Sequence, residues 1–226
     1  MIRAAIGKIF LWLNKQTAQD LELQSKILAA QLTARYISCH FTSAVPLIGG
    51  SSVLRHGLEN VRVSGQILEF GVFRGESVNF IADHISGYVE GFDSFEGLPE
   101  AWRPGFQKGR FALEGKDRLP KVRNNVRLHR GLFEETLSAF ITPHSKPVAF
   151  IHVDCDLYSS TRTVLEKLKH LIVPGTVIVF DEYFNYPSWQ LHEHRAFKEF
   201  INSGRRKYRY LAYNSRGEQV AVIIEG

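Results

Sequence analysis

Four acidic residues sit where they could do chemistry. Glu69 lies one residue from the end of the apolar run Gln66–Phe70, and Asp93, Asp154 and Asp181 directly follow the runs Tyr88–Phe92, Val148–Val153 and Thr176–Phe180. Each run is short, rich in β-formers and followed by turn residues, so each is predicted to be a strand. An acid at a strand tip is desolvated unless something pairs with it, which makes such positions suited to a ligand or a metal. Asp154 and Asp181 end consecutive predicted strands; paired, these would lie about 4.8 Å apart, close enough to share a cation. Magnesium suits carboxylates combined with substrate oxygens. A hydroxyl it coordinates loses its proton more readily, and a nearby carboxylate can then take that proton.

A glycine turn, Glu69-Phe-Gly71-Val-Phe-Arg-Gly75, joins the first of these strands to a helix expected from about Ser77. Glycine lets the backbone turn tightly and approach a ligand closely. Asp93 follows Gly71 by 22 residues, the place of an acid that reads ribose hydroxyls. A dinucleotide fingerprint starting at Gly71 would need glycines where Phe73 and Glu76 stand, so a pyrophosphate lacks its usual backbone approach. S-adenosylmethionine (AdoMet) has a ribose and no phosphate, and it is favoured over a nicotinamide dinucleotide. The competing readings are a solvated strand end for Glu69 and a turn or cap for Asp93. Asp156 reads as a helix N-cap ahead of Ser159 and Ser160. His152 reads as a satisfied core histidine, and Tyr158 either lines an acceptor pocket or packs.

The elements that must position these residues alternate as βαβ units of a parallel sheet. Further strands are predicted at Val126–His129, Tyr208–Tyr213 and Gln219–Ile224, the last two forming a hairpin. Helices are expected along Val78, Ile81 and Ile85, along Val164, Leu168 and Leu171 up to Pro174-Gly175, and over about 192–201. Five parallel-type strands closed by a hairpin are expected to form an α/β, Rossmann-like sheet of seven strands, mostly parallel with a C-terminal antiparallel hairpin, which resembles the class I methyltransferase arrangement. Residues 1–60 are expected as an N-terminal helical extension and 61–226 as the AdoMet-binding domain. Trp102–Arg123 has little periodicity and five Gly or Pro residues, as a cover between strands would.

Composition agrees with a globular chain: 226 residues, 44% hydrophobic and 23% charged, net charge +5. The apolar run Ile9–Leu13 is far too short to span a membrane, and Lys8 makes it a poor signal peptide. Ile2, Ile6, Ile9 and Leu13 share a helical face, suited to this domain or to a second subunit in a homo-oligomer. Cys39 and Cys155 make no CxxC pair, and a reduced cytoplasm is the expected location. The basic stretch Arg103–Arg123 reads as a solvated face or a loop near an anionic ligand rather than a nucleic-acid surface.

Five stretches together resemble one family. They are Leu68–Gly75, Gly91–Pro99 (Gly-Phe-Asp-Ser-Phe-Glu-Gly-Leu-Pro), Gly131–Leu137, Val153–Tyr158 (Val-Asp-Cys-Asp-Leu-Tyr) and Val179–Phe184. Their order and spacing, over about two thirds of the chain, are similar to the macrocin O-methyltransferase (TylF-like) family, which methylates sugar hydroxyls. The resemblance implies that Asp154 is both magnesium ligand and general base, with Asp181 and Glu182 completing the metal site; the family more often has Asp-Asp there. It also implies that Asp93 holds the ribose with Ser94 beside it, that Glu69, Gly71 and Gly75 face the methionine end, and that Gly131 lines the adenine side. The acceptor would be a small polyhydroxylated molecule. A nucleic-acid methyltransferase is disfavoured because Asp154-Cys-Asp-Leu-Tyr158 is ill suited to gripping a base amine. A non-catalytic AdoMet binder is disfavoured because it has no use for paired strand-end acids.

Overall fold

The computed structural model describes residues 17–115, 119–141 and 146–226. The apolar face of Ile2 to Leu13 lies outside them. All described strands join one sheet: β1 (Val45–Leu47), β2 (Gln66–Phe70), β3 (Val89–Asp93), β4 (Val126–Arg130), β5 (Val148–Val153), β6 (Ile172–Phe180), β7 (Tyr208–Asn214) and β8 (Val220–Ile224), in the order β1-β7-β8-β6-β5-β2-β3-β4. Every pairing is parallel except the two made by β8. The strand order reverses between β2 and β5, and ligands in such sheets bind beyond the carboxyl ends of the strands at that point. The seven expected strands are present, with the terminal hairpin where it is predicted.

The helices are α1 (Leu21–His40), α2 (Gly50–Glu59), α3 (Glu76–Asp83), α4 (Phe133–Phe140), α5 (Tyr158–Leu168) and α6 (Glu193–Gly204). They cover both faces of the sheet. On one side Val53 and Leu54 of α2 and Val78 and Ile81 of α3 bury against Val89, Phe150, Val177 and Val179. On the other, Leu137 of α4, Val164 and Leu168 of α5 and Phe197 of α6 bury against Phe70, Phe92, Ile151 and Phe180. Alternate residues of each strand feed the two cores, as the two-residue period of a strand requires.

Two boundaries differ from expectation. An eighth strand, Val45–Leu47, pairs with β7 in parallel, and α2 packs on the sheet beside it, so part of the segment before residue 60 is built into the sheet. Helix α5 ends at Leu168, and Pro174-Gly175 falls inside β6. The register of β5 on β6 shifts between Val148 and Phe150, an irregularity at which a proline is tolerated.

Candidate active site

The site is built at the ends of β2, β3, β5 and β6. Beyond Phe70 the chain turns at Gly71 with φ +91°, and a Cβ there would lie 1.7 Å from the Asp154 carbonyl oxygen. Only glycine fits where the β2 turn crosses the end of β5. Asp93, at the end of β3, fixes this turn: its Oδ2 accepts the amides of Val72 and Phe73, both at 2.8 Å, and its Oδ1 accepts that of Phe95 at 2.7 Å. A carboxylate offers about four acceptor positions. Three are taken by the protein, which leaves room for a ligand hydroxyl. Asp93 therefore forms the turn and lines the cavity as well.

These residues open on a cavity of ≈570 Å³, lined also by Ser94, Gly131, Asp154, Asp156 and Glu182. Such a volume takes a molecule of cofactor size. The Ser94 hydroxyl accepts the Glu96 amide at 3.1 Å, and Gly131 donates its amide to the Asp93 carbonyl at 3.0 Å. Phe73 and Phe111 meet edge to face at 5.4 Å, both at positive φ, and form an aromatic wall that sequence patterning does not announce.

Two residues expected at the cofactor do not line this cavity. Glu69 is fully buried and is not part of the cavity wall; its Oε1 pairs with His152 Nδ1 at 2.9 Å. The cause is register, since Glu69 and His152 are neighbours across β2 and β5 and project together. Gly75 is the left-handed N-cap of α3, with its missing Cβ facing Pro120 and Val122.

The second half of the site is acidic. Ligand atoms of Asp154, Asp181 and Glu182 lie within 4.8 Å of one another. One Glu182 carboxylate oxygen is buried without a hydrogen-bond partner. Burial and the neighbouring Asp181 push both Asp154 and Glu182 well above the usual carboxylate range. Asp181 is held low despite its burial, by the charge of His152 and the Gln219 amide, which donates at 3.2 Å. His152 Nε2 stands 3.9 Å from Asp181. Burial alone would lower the imidazole pKa, but Asp181 and Glu69 on its two sides hold it well above its ordinary value. The satisfied core histidine is thus also a strut between two acids.

Glu193, in the first turn of α6, is buried too and accepts the Glu182 amide at 3.0 Å. Neither it nor Gln219 is signalled by a motif, because each reaches the site from a distant segment. The cluster carries more carboxylates than its own cations can balance, and a divalent cation fits that donor set.

Asp156 does not cap α5. The cap position is Leu157, without a side-chain bond, and Asp156 sits before it at φ +62°, turned out of capping geometry. Burial, against the pull of Arg103, raises its pKa to about 7. Tyr158 packs: its hydroxyl donates to Glu199 at 2.6 Å and Arg195 stacks on its ring. Cys155 is buried, and burial with Glu193 nearby raises its thiol pKa, so it is no nucleophile. Part of the basic stretch is neutralised internally, through Arg103 on Glu218 at 3.2 Å and Arg123 on Asp83 at 2.8 Å.

A family profile described as a methyltransferase domain matches residues 68–183, which span the ends of β2, β3, β5 and β6 that build the site. The chain belongs to this methyltransferase-domain family. It is 31% identical over 147 residues to the 8-demethyl-8-(2,3-dimethoxy-alpha-L-rhamnosyl)-tetracenomycin-C 4'-O-methyltransferase of Streptomyces olivaceus. That match covers 54% of each protein, so the chain spans about half the length of this relative. Among solved structures the methyltransferase domain is similar to CalS11, a calicheamicin methyltransferase, with TM-score 0.59, 25% identity and 76% of each chain covered. The O-methyltransferase NovP shares the fold at TM-score 0.59 and 21% identity, over 78% of this chain and 79% of NovP.

Proposed function

We propose that this methyltransferase domain moves the methyl group of AdoMet to a hydroxyl of a small polyhydroxylated acceptor, of the sugar class, with magnesium at Asp154, Asp181 and Glu182. One observation carries the reading: the Gly71–Asp93 cradle and the acids Asp154 and Glu182 open on the same cavity. A donor held by the first would meet a hydroxyl held by the second. The relative named as a rhamnosyl-tetracenomycin 4'-O-methyltransferase and the one named as a calicheamicin methyltransferase support the acceptor class.

Bound magnesium would lower the pKa of the acceptor hydroxyl. Asp154, which lines the cavity within reach of Asp181 and Glu182, would receive the hydroxyl proton. The hydroxyl oxygen forms its bond to the methyl carbon as the carbon–sulfur bond breaks, and the electron pair stays on sulfur. Asp93 retains the ribose through its free acceptor position. Glu69 and His152 keep Asp181 charged and in place, so the metal ligand is ionised before the cation arrives.

The test is turnover on a panel of sugar and phenolic hydroxyl acceptors, with EDTA and with magnesium restored. Activity should vanish with EDTA and return with magnesium. Activity indifferent to EDTA but lost in Asp154→Asn would leave Asp154 as a base without a metal; a fully active Asp154→Asn would end the assignment.

A further inference from the structure

Asp181 and Glu182 are consecutive, and consecutive residues of an extended strand send their side chains to opposite faces of the sheet. Yet ligand atoms of the two lie within 4.8 Å of each other and of Asp154. Strand β6 ends at Phe180 and the chain bends from Asp181 onward, which lets both side chains reach one place. The bend must be held for that meeting to last.

Three successive amides show what holds it. That of Asp181 donates to the Val153 carbonyl at 2.9 Å, at the end of β5, and that of Tyr183 to the Glu218 carbonyl at 3.0 Å, just before β8. Between them, the Glu182 amide donates to a side chain, Glu193 Oε2, at 3.0 Å. The Glu182 carbonyl in turn accepts the Tyr186 hydroxyl at 3.2 Å. The backbone is thus gripped on both sides of Glu182, while one oxygen of its carboxylate stays buried without a partner. Glu193 itself is 0% exposed, and its Oε1 has no hydrogen-bond partner either. A carboxylate in the first turn of a helix is favoured by the helix dipole, but an exposed one serves that purpose without the cost of burial. A buried group left half unsatisfied calls for a reason beyond stability.

We infer that Glu193 is a positioning residue: it holds the bend after β6 so that the longer side chain of Glu182 reaches the cation site shared with Asp154 and Asp181. Tyr186 holds the other side of the same residue. The inference rests on the metal reading proposed above, and it gives Glu193 no contact with the cation or the acceptor.

The experiment is calorimetric titration of magnesium alone into the wild type, Glu193→Ala, Glu193→Gln, Tyr186→Phe, Glu182→Ala and the Glu182→Ala/Glu193→Ala double variant. Near-ultraviolet circular dichroism serves as the control for folding. Partners that orient a metal ligand are typically worth about 10- to 100-fold in metal affinity, so Glu193→Ala should bind magnesium about tenfold or more weakly. Glutamine still offers an oxygen to the Glu182 amide, so Glu193→Gln should restore most of the affinity. In the Glu182→Ala background Glu193→Ala should cause no further loss, because two changes acting through one side chain are not additive. Tyr186→Phe keeps the ring and should weaken magnesium several-fold; it decides the matter if Glu193→Ala does not fold, and unchanged affinity there overturns the inference. So does unchanged affinity in a folded Glu193→Ala, or an equal further loss in the double variant, either of which leaves Glu193 a structural carboxylate. Glutamine failing as badly as alanine would make charge the agent in place of the hydrogen bond, and overturns it as well. A wild type that binds no magnesium ends the metal reading and this inference with it.

Discussion

Glu182 carries one methylene more than an aspartate would, and its free carboxylate oxygen is buried next to Asp154 and Asp181. Glu182→Gln should weaken magnesium binding and lower turnover less than Asp154→Asn does. The latter removes ligand charge and proton acceptor together, and general-base catalysis alone is worth about 10²–10⁴-fold. Magnesium titration and single-turnover rates separate the two. The titrations have a stability signature as well. Asp154, Glu182 and Glu193 have raised pKa values when folded, and Asp156 is raised to about 7. Between the unfolded carboxylate range and those values the folded state binds more protons, so stability falls as pH rises. His152, also raised, loses its contribution in the same direction at higher pH, and Asp181 alone of the cluster's resolved shifts opposes it. Metal-free protein should therefore melt lower at pH 8 than at pH 5.5, and magnesium should largely remove the slope. A melting series with EDTA or magnesium reads this directly; a slope of opposite sign would reject the charge assignment. That the acids end strands is legible in the chain, because apolar runs stop at them. Which of them meet is not, since Glu69 and His152 face each other through a register between strands some eighty residues apart.

The segment expected to cover the cavity gives Phe111 to its wall. The segment after β3 folds back on itself: Leu98 and Arg110 bond through their backbones at 2.9 Å, and Gly97 (φ +77°) lies so close to the Arg110 carbonyl that a Cβ would stand 2.4 Å from it. Its anchor is Arg103, ion-paired to Glu218 and stacked on Trp102, Phe106 and Tyr186. Limited proteolysis should cut first among the Lys and Arg residues of 102–123, and S-adenosylhomocysteine should slow the cutting. Arg103→Ala should speed cleavage several-fold without a matching loss of melting temperature, because a partly exposed ion pair contributes only about 1 kcal/mol or less. Cleavage elsewhere, indifferent to ligand, would refute the cover. Gly and Pro punctuation marks this segment in the sequence. By contrast β1 leaves no such mark: Val-Pro-Leu is three residues long and contains a proline, which a strand admits at the sheet edge where β1 lies.

At the scale of the molecule, a ligand that binds only the folded state raises its stability. S-adenosylhomocysteine at about 100 to 1,000 times its dissociation constant should add roughly 2.7–4.1 kcal/mol, and NAD should add nothing. A thermal shift with NAD and none with S-adenosylhomocysteine would exclude the proposed donor. Asp93→Ala should also cost stability, since three backbone amides lose their acceptor.

The edge pairing of β1 with β7 sets the order in which the chain can be completed. Val45 meets Ala212 and Leu47 meets Asn214, so a strand made early waits for one made about 170 residues later. During synthesis, β2 to β6 can assemble with both β1 and α2 lacking their final partners, and the edge of β6 stays open until β8 leaves the ribosome. Contacts this distant in sequence form late and slowly, and an unpaired strand edge invites pairing with other chains. A chain stopped short of β7 should accordingly be recovered as aggregate, whereas one released after β8 should refold with docking of residues 45–59 as its slowest phase.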